Sequence, residues 1–269
     1  MKVQPALLLD EVIAIAKATG EIILNRYDED HEPHLRTKPD GSPVTLVDLE
    51  ADAFIEKELN QLSWVFPIVS EEKTIEPFSI RKTWPYFWCV DPLDGTRGFL
   101  KKTDDFVVSI ALVHQHRSVL GVIYVPLEET VYYAATHEGA YKQEKNKAPV
   151  KIHTSAFQEK VLRIALSRTA HSDRVKELLK QWAVTEVINM GSAIKSCFVA
   201  EGRIDLYPRW GPTGEWDTAA AQCIVEEAGG GLIDFQGHPL TYNTKESLEN
   251  PSFLVVGDVQ HDWLTYFRR

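Results

Sequence analysis

Asp91-Pro92-Leu93-Asp94-Gly95-Thr96 places two carboxylates, a glycine and a hydroxyl within six residues. It follows Tyr86-Phe87-Trp88-Cys89-Val90, an aromatic and apolar run that reads as a buried strand. The residue types suit a divalent cation on Asp91 and Asp94. They also suit a phosphate at the start of the next helix, where unpaired amides and the positive dipole end gather. Glycine lets the backbone approach closely, and a threonine hydroxyl can orient a water.

Three further acids stand at element ends: Asp48, Glu71 and Asp217. Each alone has an ordinary structural explanation. Asp48 can serve a helix dipole, Glu71 can be a solvated loop acid, Asp217 can cap a helix, and Asp-Pro with Asp-Gly can simply turn the chain. Together they favour a hard-cation site, because Mg²⁺ takes carboxylate and carbonyl oxygens and no His or Cys accompanies them. The spacing of Asp91 and Asp94 does not fit a calcium-binding EF-hand. An aspartyl-phosphate enzyme would want its two acids closer.

The elements that must position these residues fall into two parts. In the first, residues 5–27 and 45–62 read as helices with one apolar face each. Thr45 and Asp48 have capping-box spacing. Strands are expected at 64–69, 86–90, 106–113, 118–126, 130–135 and 139–142, with a short helix at 95–101. Residues 28–43, containing Lys38-Pro39-Asp40-Gly41-Ser42-Pro43, form a turn-rich surface loop or a lid. Residues 143–160 are polar and hold the expected boundary between a domain of 1–155 and one of 156–269. The second part alternates: strands at 161–166, 184–189, 203–207 and 253–257; helices at 172–182, 192–201, 215–228 and 260–267. Alternation of this kind argues α/β.

Bulk properties narrow the partners. A formal charge of −10 over 269 residues leaves no basic footprint for a nucleic acid polymer. A small anionic ligand is still allowed, since local cations and metals reverse the field inside a cleft. Three scattered cysteines, Cys89, Cys197 and Cys223, lie in apolar segments and argue for a reducing cytoplasm without disulfides. No uncharged run reaches the roughly 18 residues of a membrane span. The apolar run Ala6–Leu9 is too short for a signal peptide.

The motif Asp91–Thr96, with Trp216-Asp217-Thr218-Ala219-Ala220 and Glu227-Ala228-Gly229-Gly230 in the same order, resembles the two signatures of the inositol monophosphatase superfamily. Residues 38–45, Gly191-Ser192-Ala193-Ile194-Lys195 and Leu206-Tyr207-Pro208-Arg209-Trp210-Gly211-Pro212-Thr213 resemble its bacterial CysQ branch, the 3'(2'),5'-bisphosphate nucleotidases. The resemblance implies an α+β / α/β fold, an αβαβα layered sandwich, and Mg²⁺-dependent hydrolysis of a phosphomonoester. It implies that Glu71, Asp91 and the Leu93 carbonyl bind one Mg²⁺, and that Asp91, Asp94 and Asp217 bind a second. Glu71 would reach a weaker third. Asp48 would pair with Thr96 to orient and deprotonate the attacking water, and the amides of Gly95 and Thr96 would hold the scissile phosphate. Two metals neutralise a phosphate monoester, acidify a water and stabilise the leaving alkoxide, which makes a protein nucleophile unnecessary. Lithium sensitivity is a family expectation.

Substrate selection falls to the second part. Ser167, Arg168, His171, Ser192, Lys195 and Arg209 supply donors at strand ends and helix starts, with Arg offering a bidentate fork and Lys a point charge. Lys195, His171 and Arg168 also read as ordinary surface residues, and Tyr207 and Trp210 as core. The expected substrate is a small phosphorylated nucleotide, adenosine 3',5'-bisphosphate, giving AMP. An inositol or sugar phosphate is the alternative on the same metals, and a binding module without turnover is the rival from another class. The expected location is the cytoplasm, with peripheral contact to the inner membrane a property of branch members. Monomer and homodimer stay open, and Glu215, beside Trp216, has no assigned role.

Overall fold

The computed structural model describes residues 3–27, 36–37, 43–168, 175, 179–180, 182 and 184–267. Helix α1 (Leu9–Tyr27) follows a 3-10 turn at Pro5–Leu8. A short pair, β1 (Arg36–Thr37) and β2 (Pro43–Val44), precedes α2 (Leu46–Leu59). Then come β3 (Ile68–Ser70), α3 (Phe78–Arg81), β4 (Tyr86–Asp94), α4 (Thr96–Lys101), β5 (Val107–His114), β6 (Arg117–Val125), β7 (Thr130–Ala135), β8 (Gly139–Gln143) and β9 (Val150–Ile152). The second half holds β10 (Leu162–Ser167), β11 (Val184–Met190), α5 (Ile194–Ala200), β12 (Leu206–Arg209), α6 (Trp216–Glu227), β13 (Gly231–Asp234) and β14 (Phe253–Val256).

Strands β3 to β9 form one seven-stranded sheet in chain order, antiparallel except for β3 beside β4. A second sheet runs β11-β10-β12-β14-β13; β10 is parallel to β11 and β12, and β14 antiparallel to β12 and β13. Helices α1 and α2 cover the outer face of the first sheet, where Val12, Ile23, Ile55 and Leu59 meet Trp88, Val90, Ile110 and Val122. Helices α5 and α6 lie between the sheets, in a core that joins Phe87, Cys89 and Ile123 to Ala165, Tyr207 and Phe253. Val175, Trp182 and Trp263 cover the far face of the second sheet. The order is α, β, α, β, α. No helix among the described residues is long and apolar enough to cross a membrane.

Helix α6 has apolar residues around most of its girth, from Ala219, Ala220 and Ala221 to Ile224 and Val225, as a helix packed on both faces must. It lies close to Gly121 of β6: a Cβ there would stand 2.2 Å from the Ala220 carbonyl oxygen.

Several expected elements come out differently: the strand expected at 86–90 runs on to Asp94, and the one expected at 203–207 lies at Leu206–Arg209. The strand expected at 64–69 is only Ile68–Ser70, with Pro67 before it and Trp64 and Phe66 packed on the core from irregular chain. Val150–Ile152 adds an edge strand inside the polar stretch 143–160. Gly231 opens β13, a strand absent from the expected alternation. The terminal helix is a single 3-10 turn at Trp263–Tyr266. His171, the lid expected at 28–43 apart from β1 and β2, and the helix expected at 172–182 apart from Val175, Leu179, Lys180 and Trp182 lie outside the described residues.

Candidate active site

The acids converge because β4 is irregular. Asp91 pairs with Ser109 and Asp94 with Val107, so three steps on β4 match two on β5. That is a β-bulge, centred where Pro92 has no N–H to give the ladder. In a regular strand, residues three apart face opposite ways. The bulge restores one phase, so Asp91 and Asp94 both face the central helices. Leu93 turns the other way, buried against α1 and α2.

Glu71 lies one residue past β3, and its N–H bonds the Val90 carbonyl at 3.2 Å. Asp217 stands in the first turn of α6, where its Oδ2 accepts the Gly214 N–H at 2.7 Å. Carboxylate oxygens of Glu71, Asp91 and Asp217 all come within 4.8 Å of one another. Asp91 Oδ1 accepts the Leu93 N–H at 3.1 Å, and its Oδ2 is buried without a partner. Asp94 accepts the Ala193 N–H. Burial, then repulsion from Glu71, Asp94 and Asp217, pushes Asp91 well above the usual carboxylate range. Burial likewise lifts Asp94 to about 6 and, with repulsion from Asp94 and Glu71, Asp217 to about 8. Buried like charges around an orphaned oxygen are costly without a cation between them. The donor set is all oxygen, which suits Mg²⁺.

Asp48 reaches the same corner from α2. Thr45 and Asp48 form the expected capping box: Asp48 Oδ2 accepts the Thr45 N–H at 2.7 Å and its hydroxyl at 2.6 Å. The other oxygen accepts the Thr96 hydroxyl at 3.1 Å, and Thr96 also reaches the Leu93 carbonyl at 3.3 Å. Burial raises the Asp48 pKa against these hydrogen bonds. Gly95 precedes α4 at φ 101°, a conformation that favours glycine, and a Cβ would meet the Asp105 carbonyl at 2.6 Å.

A cleft of about 380 Å³ joins this corner to the second sheet. Glu71, Asp91, Leu93, Asp94, Gly95, Thr96 and Asp217 line one side; Ser167, Arg168, Ser192, Lys195 and Arg209 line the other. Lys195 is 2% exposed. Its Nζ bonds the Ser192 carbonyl and sits 4.9 Å from the Tyr207 ring centroid. Burial lowers its pKa to about 8, against the pull of Asp94. Arg209 gives an N–H to Ser167 Oγ at 2.7 Å and another to the Pro212 carbonyl at 3.3 Å, while its Nε is buried without a partner. The expected residues other than His171 and Asp48 therefore stand around one cavity, and Asp48 reaches it through the Thr96 hydroxyl. Arg168 is the most exposed, and its Nε bonds Asp105 at 2.6 Å.

Two groups escaped the sequence reading. Asp105, in the loop after α4, is 4% exposed and lines the cleft. Asp52 lies one helical turn after Asp48 and accepts the Ser70 hydroxyl at 2.5 Å beside Glu71. Its i, i+4 spacing from Asp48 was the available signal. Glu215 is buried and accepts the Asn243 N–H at 2.7 Å; Asn243 in turn accepts from Arg81. It anchors the loop before α6 and does not join the acid cluster.

Residues 6–263 match the model of the inositol monophosphatase family. The chain belongs to this family. It is 38% identical to 3'(2'),5'-bisphosphate nucleotidase CysQ of Haemophilus influenzae, over 97% of both chains. It is also 38% identical to the CysQ nucleotidase of Escherichia coli K12, over 92% of this chain and 99% of that one. The solved structure of CysQ from Bacteroides thetaiotaomicron superposes with a TM-score of 0.77 at 34% identity, over 94% of this chain and 97% of that one. A Thermotoga maritima inositol monophosphatase shares the fold, with a TM-score of 0.78 at 24% identity over 95% and 94% of the two chains.

Proposed function

We propose that the chain is a Mg²⁺-dependent 3'(2'),5'-bisphosphate nucleotidase that converts adenosine 3',5'-bisphosphate to AMP and phosphate. The observation that carries this is one cleft with two unlike walls: a carboxylate cluster on one side, Lys195 and Arg209 on the other. A substrate with two phosphates matches it, one group for the cations' wall and one for the metal corner. The names of the similar nucleotidases support the same substrate class.

Glu71, Asp91, Asp94, Asp217 and the Leu93 carbonyl are the oxygen donors we assign to two Mg²⁺ ions, with Glu71 the donor for a weaker third. Bound there, the metal supplies Lewis acidity and neutralises phosphoryl charge. The chain's own residues do the rest. The Thr96 hydroxyl points its proton at Asp48 Oδ1 and so can present a lone pair to the attacking water. As the water gives its proton to the Thr96 oxygen, Thr96 passes its own to Asp48, whose pKa burial has raised. Gly95 and Thr96 offer amides to the scissile phosphate at the start of α4. Lys195 and Arg209 hold the second phosphate by charge-assisted hydrogen bonds.

A phosphate-release panel with Mg²⁺ tests the reading. Adenosine 3',5'-bisphosphate should exceed inositol 1-phosphate and sugar phosphates in kcat/KM, and Lys195→Ala or Arg209→Ala should remove roughly 10- to 100-fold from the bisphosphate alone. Equal rates on all three would favour an inositol or sugar-phosphate phosphatase. Release from none would favour a binding module.

A further inference from the structure

We propose that Asp105 is a positioning residue that fixes the anion-binding wall of the cleft against the metal corner. Its carboxylate joins three segments distant in sequence. Oδ2 accepts the Arg168 Nε–H at 2.6 Å, from the end of β10, and the Gly191 N–H, from the end of β11. Oδ1 accepts the Thr103 hydroxyl at 2.5 Å, in its own loop. These bonds hold the carboxylate below its ordinary pKa although burial pushes it up.

Glycines make room for it on every side. A Cβ on Gly98 would stand 2.5 Å from Asp105 Oδ1, and one on Gly191 would stand 2.8 Å from Oδ2. A Cβ on Gly95, beside the metal corner, would meet the Asp105 backbone oxygen at 2.6 Å. The notch is therefore shaped for a short side chain at 105 and for none at 95, 98 or 191.

The tie controls the chain just beyond Gly191. Ser192 sits at φ 49°, a left-handed conformation that a serine holds only when its neighbours impose it. Gly191 N–H bound to Asp105 and Ala193 N–H bound to Asp94 are those neighbours. With Ser192 so turned, its carbonyl receives Lys195 Nζ. Asp105 thus sets the carbonyl that aims Lys195, holds Arg168 over the cleft, and keeps both in register with Asp94.

The inference rests on the bisphosphate reading only for its substrate. Asp105→Asn keeps the volume but turns an amide donor toward Arg168 or Gly191, or leaves one of them unpaired. Losing charge-assisted bonds of this kind should lower the preference for adenosine 3',5'-bisphosphate over adenosine 3'-monophosphate by about tenfold or more, through KM of the bisphosphate rather than kcat. Gly191→Ala should give the same change, and the double variant should be no worse than either alone. In the substrate-free protein, amide exchange across 191–195 should quicken about tenfold in Asp105→Asn, with the remaining chain unchanged. If the intact protein lacks the bisphosphate preference, the functional reading fails, and the exchange measurement still decides the role of Asp105. If the variant keeps both its preference and its exchange protection, or loses activity on the two nucleotides equally with unchanged exchange, the role is refuted.

Discussion

Asp91→Asn should inactivate the enzyme and yet stabilise the metal-free protein. With carboxylate oxygens of Glu71, Asp91 and Asp217 inside 4.8 Å, each ionised pair repels by about 3.5 kcal/mol at an effective dielectric of about 20. The folded protein can instead take up a proton, which costs about 1.4 kcal/mol for each pH unit above the ordinary carboxylate pKa. Either way, a few kcal/mol are lost near pH 8. Asparagine keeps the oxygen that accepts the Leu93 N–H and puts a neutral amide in place of the orphaned oxygen. A net gain of about 2–3 kcal/mol would raise the Tm by about 4–5 °C for a chain of 269 residues, from about 2.1 cal/mol/K per residue. The sign with pH comes from the raised folded pKa. The folded state binds more protons than the unfolded state above about pH 4, so the wild-type metal-free protein loses stability as pH rises. The advantage of asparagine should shrink toward zero as pH falls to about 4. Thermal unfolding in EDTA and in Mg²⁺, from pH 4.5 to 8.5, measures this. In Mg²⁺ the order should reverse, because the wild type gains RT ln(1 + [Mg²⁺]/Kd) and the variant gains less. A variant that melts below wild type in EDTA at pH 8, by the same margin as in Mg²⁺, would refute the electrostatic argument.

Three further outcomes are expected from the geometry. Thr96→Ala should lower kcat by roughly 10²- to 10⁴-fold with a small effect on Tm, since it removes the hydroxyl that faces Asp48 without touching the capping box; stopped phosphate-release assays with parallel melts check it. KM for the bisphosphate should climb once pH passes about 8, because the buried Lys195 loses its charge there, well below the ordinary lysine value; KM flat to pH 10 would contradict this. Gly121→Ala should destabilise by about 1–3 kcal/mol or more, as its Cβ meets the Ala220 carbonyl at 2.2 Å, and chemical denaturation measures that loss.

The features legible in the sequence were local. The Thr45–Asp48 box, the strand ending in Asp91 and the helix that opens near Asp217 each announce themselves by residue type within a few positions. The bulge at Pro92 was not visible, since the apolar run that marks the strand stops at Val90 and the phase beyond it depends on pairing with β5. The lodging of α6 between two sheets was not legible either, since Thr218, Gln222 and Glu226 give it a polar stripe at helical spacing and its partner Gly121 lies about a hundred residues earlier. Asp105 was illegible. Its partners come from 103, 168 and 191, and nothing in Asp104-Asp105 separates it from a turn acid. Positions defined by contacts across three segments leave no short-range pattern.

The same distribution of partners bears on how the site works. Asp91 is tied to its own strand by Leu93, Asp94 to the turn before α5 by Ala193, Asp217 to the loop before α6 by Gly214, and Asp48 to its own cap by Thr45. A backbone amide fixes one oxygen of each acid, so the carboxylates are oriented before any cation arrives, and little reordering is needed on binding. Two of those amides belong to segments that also form the cation wall: Ala193 lies two residues from Lys195, and Gly214 is next to Thr213, which lines the same cleft. A phosphate that draws Lys195 or the 212–214 loop therefore pulls on the backbone that aims Asp94 and Asp217. Metal and second phosphate should bind with mutual dependence, each tightening the other, because both act on the same two amides.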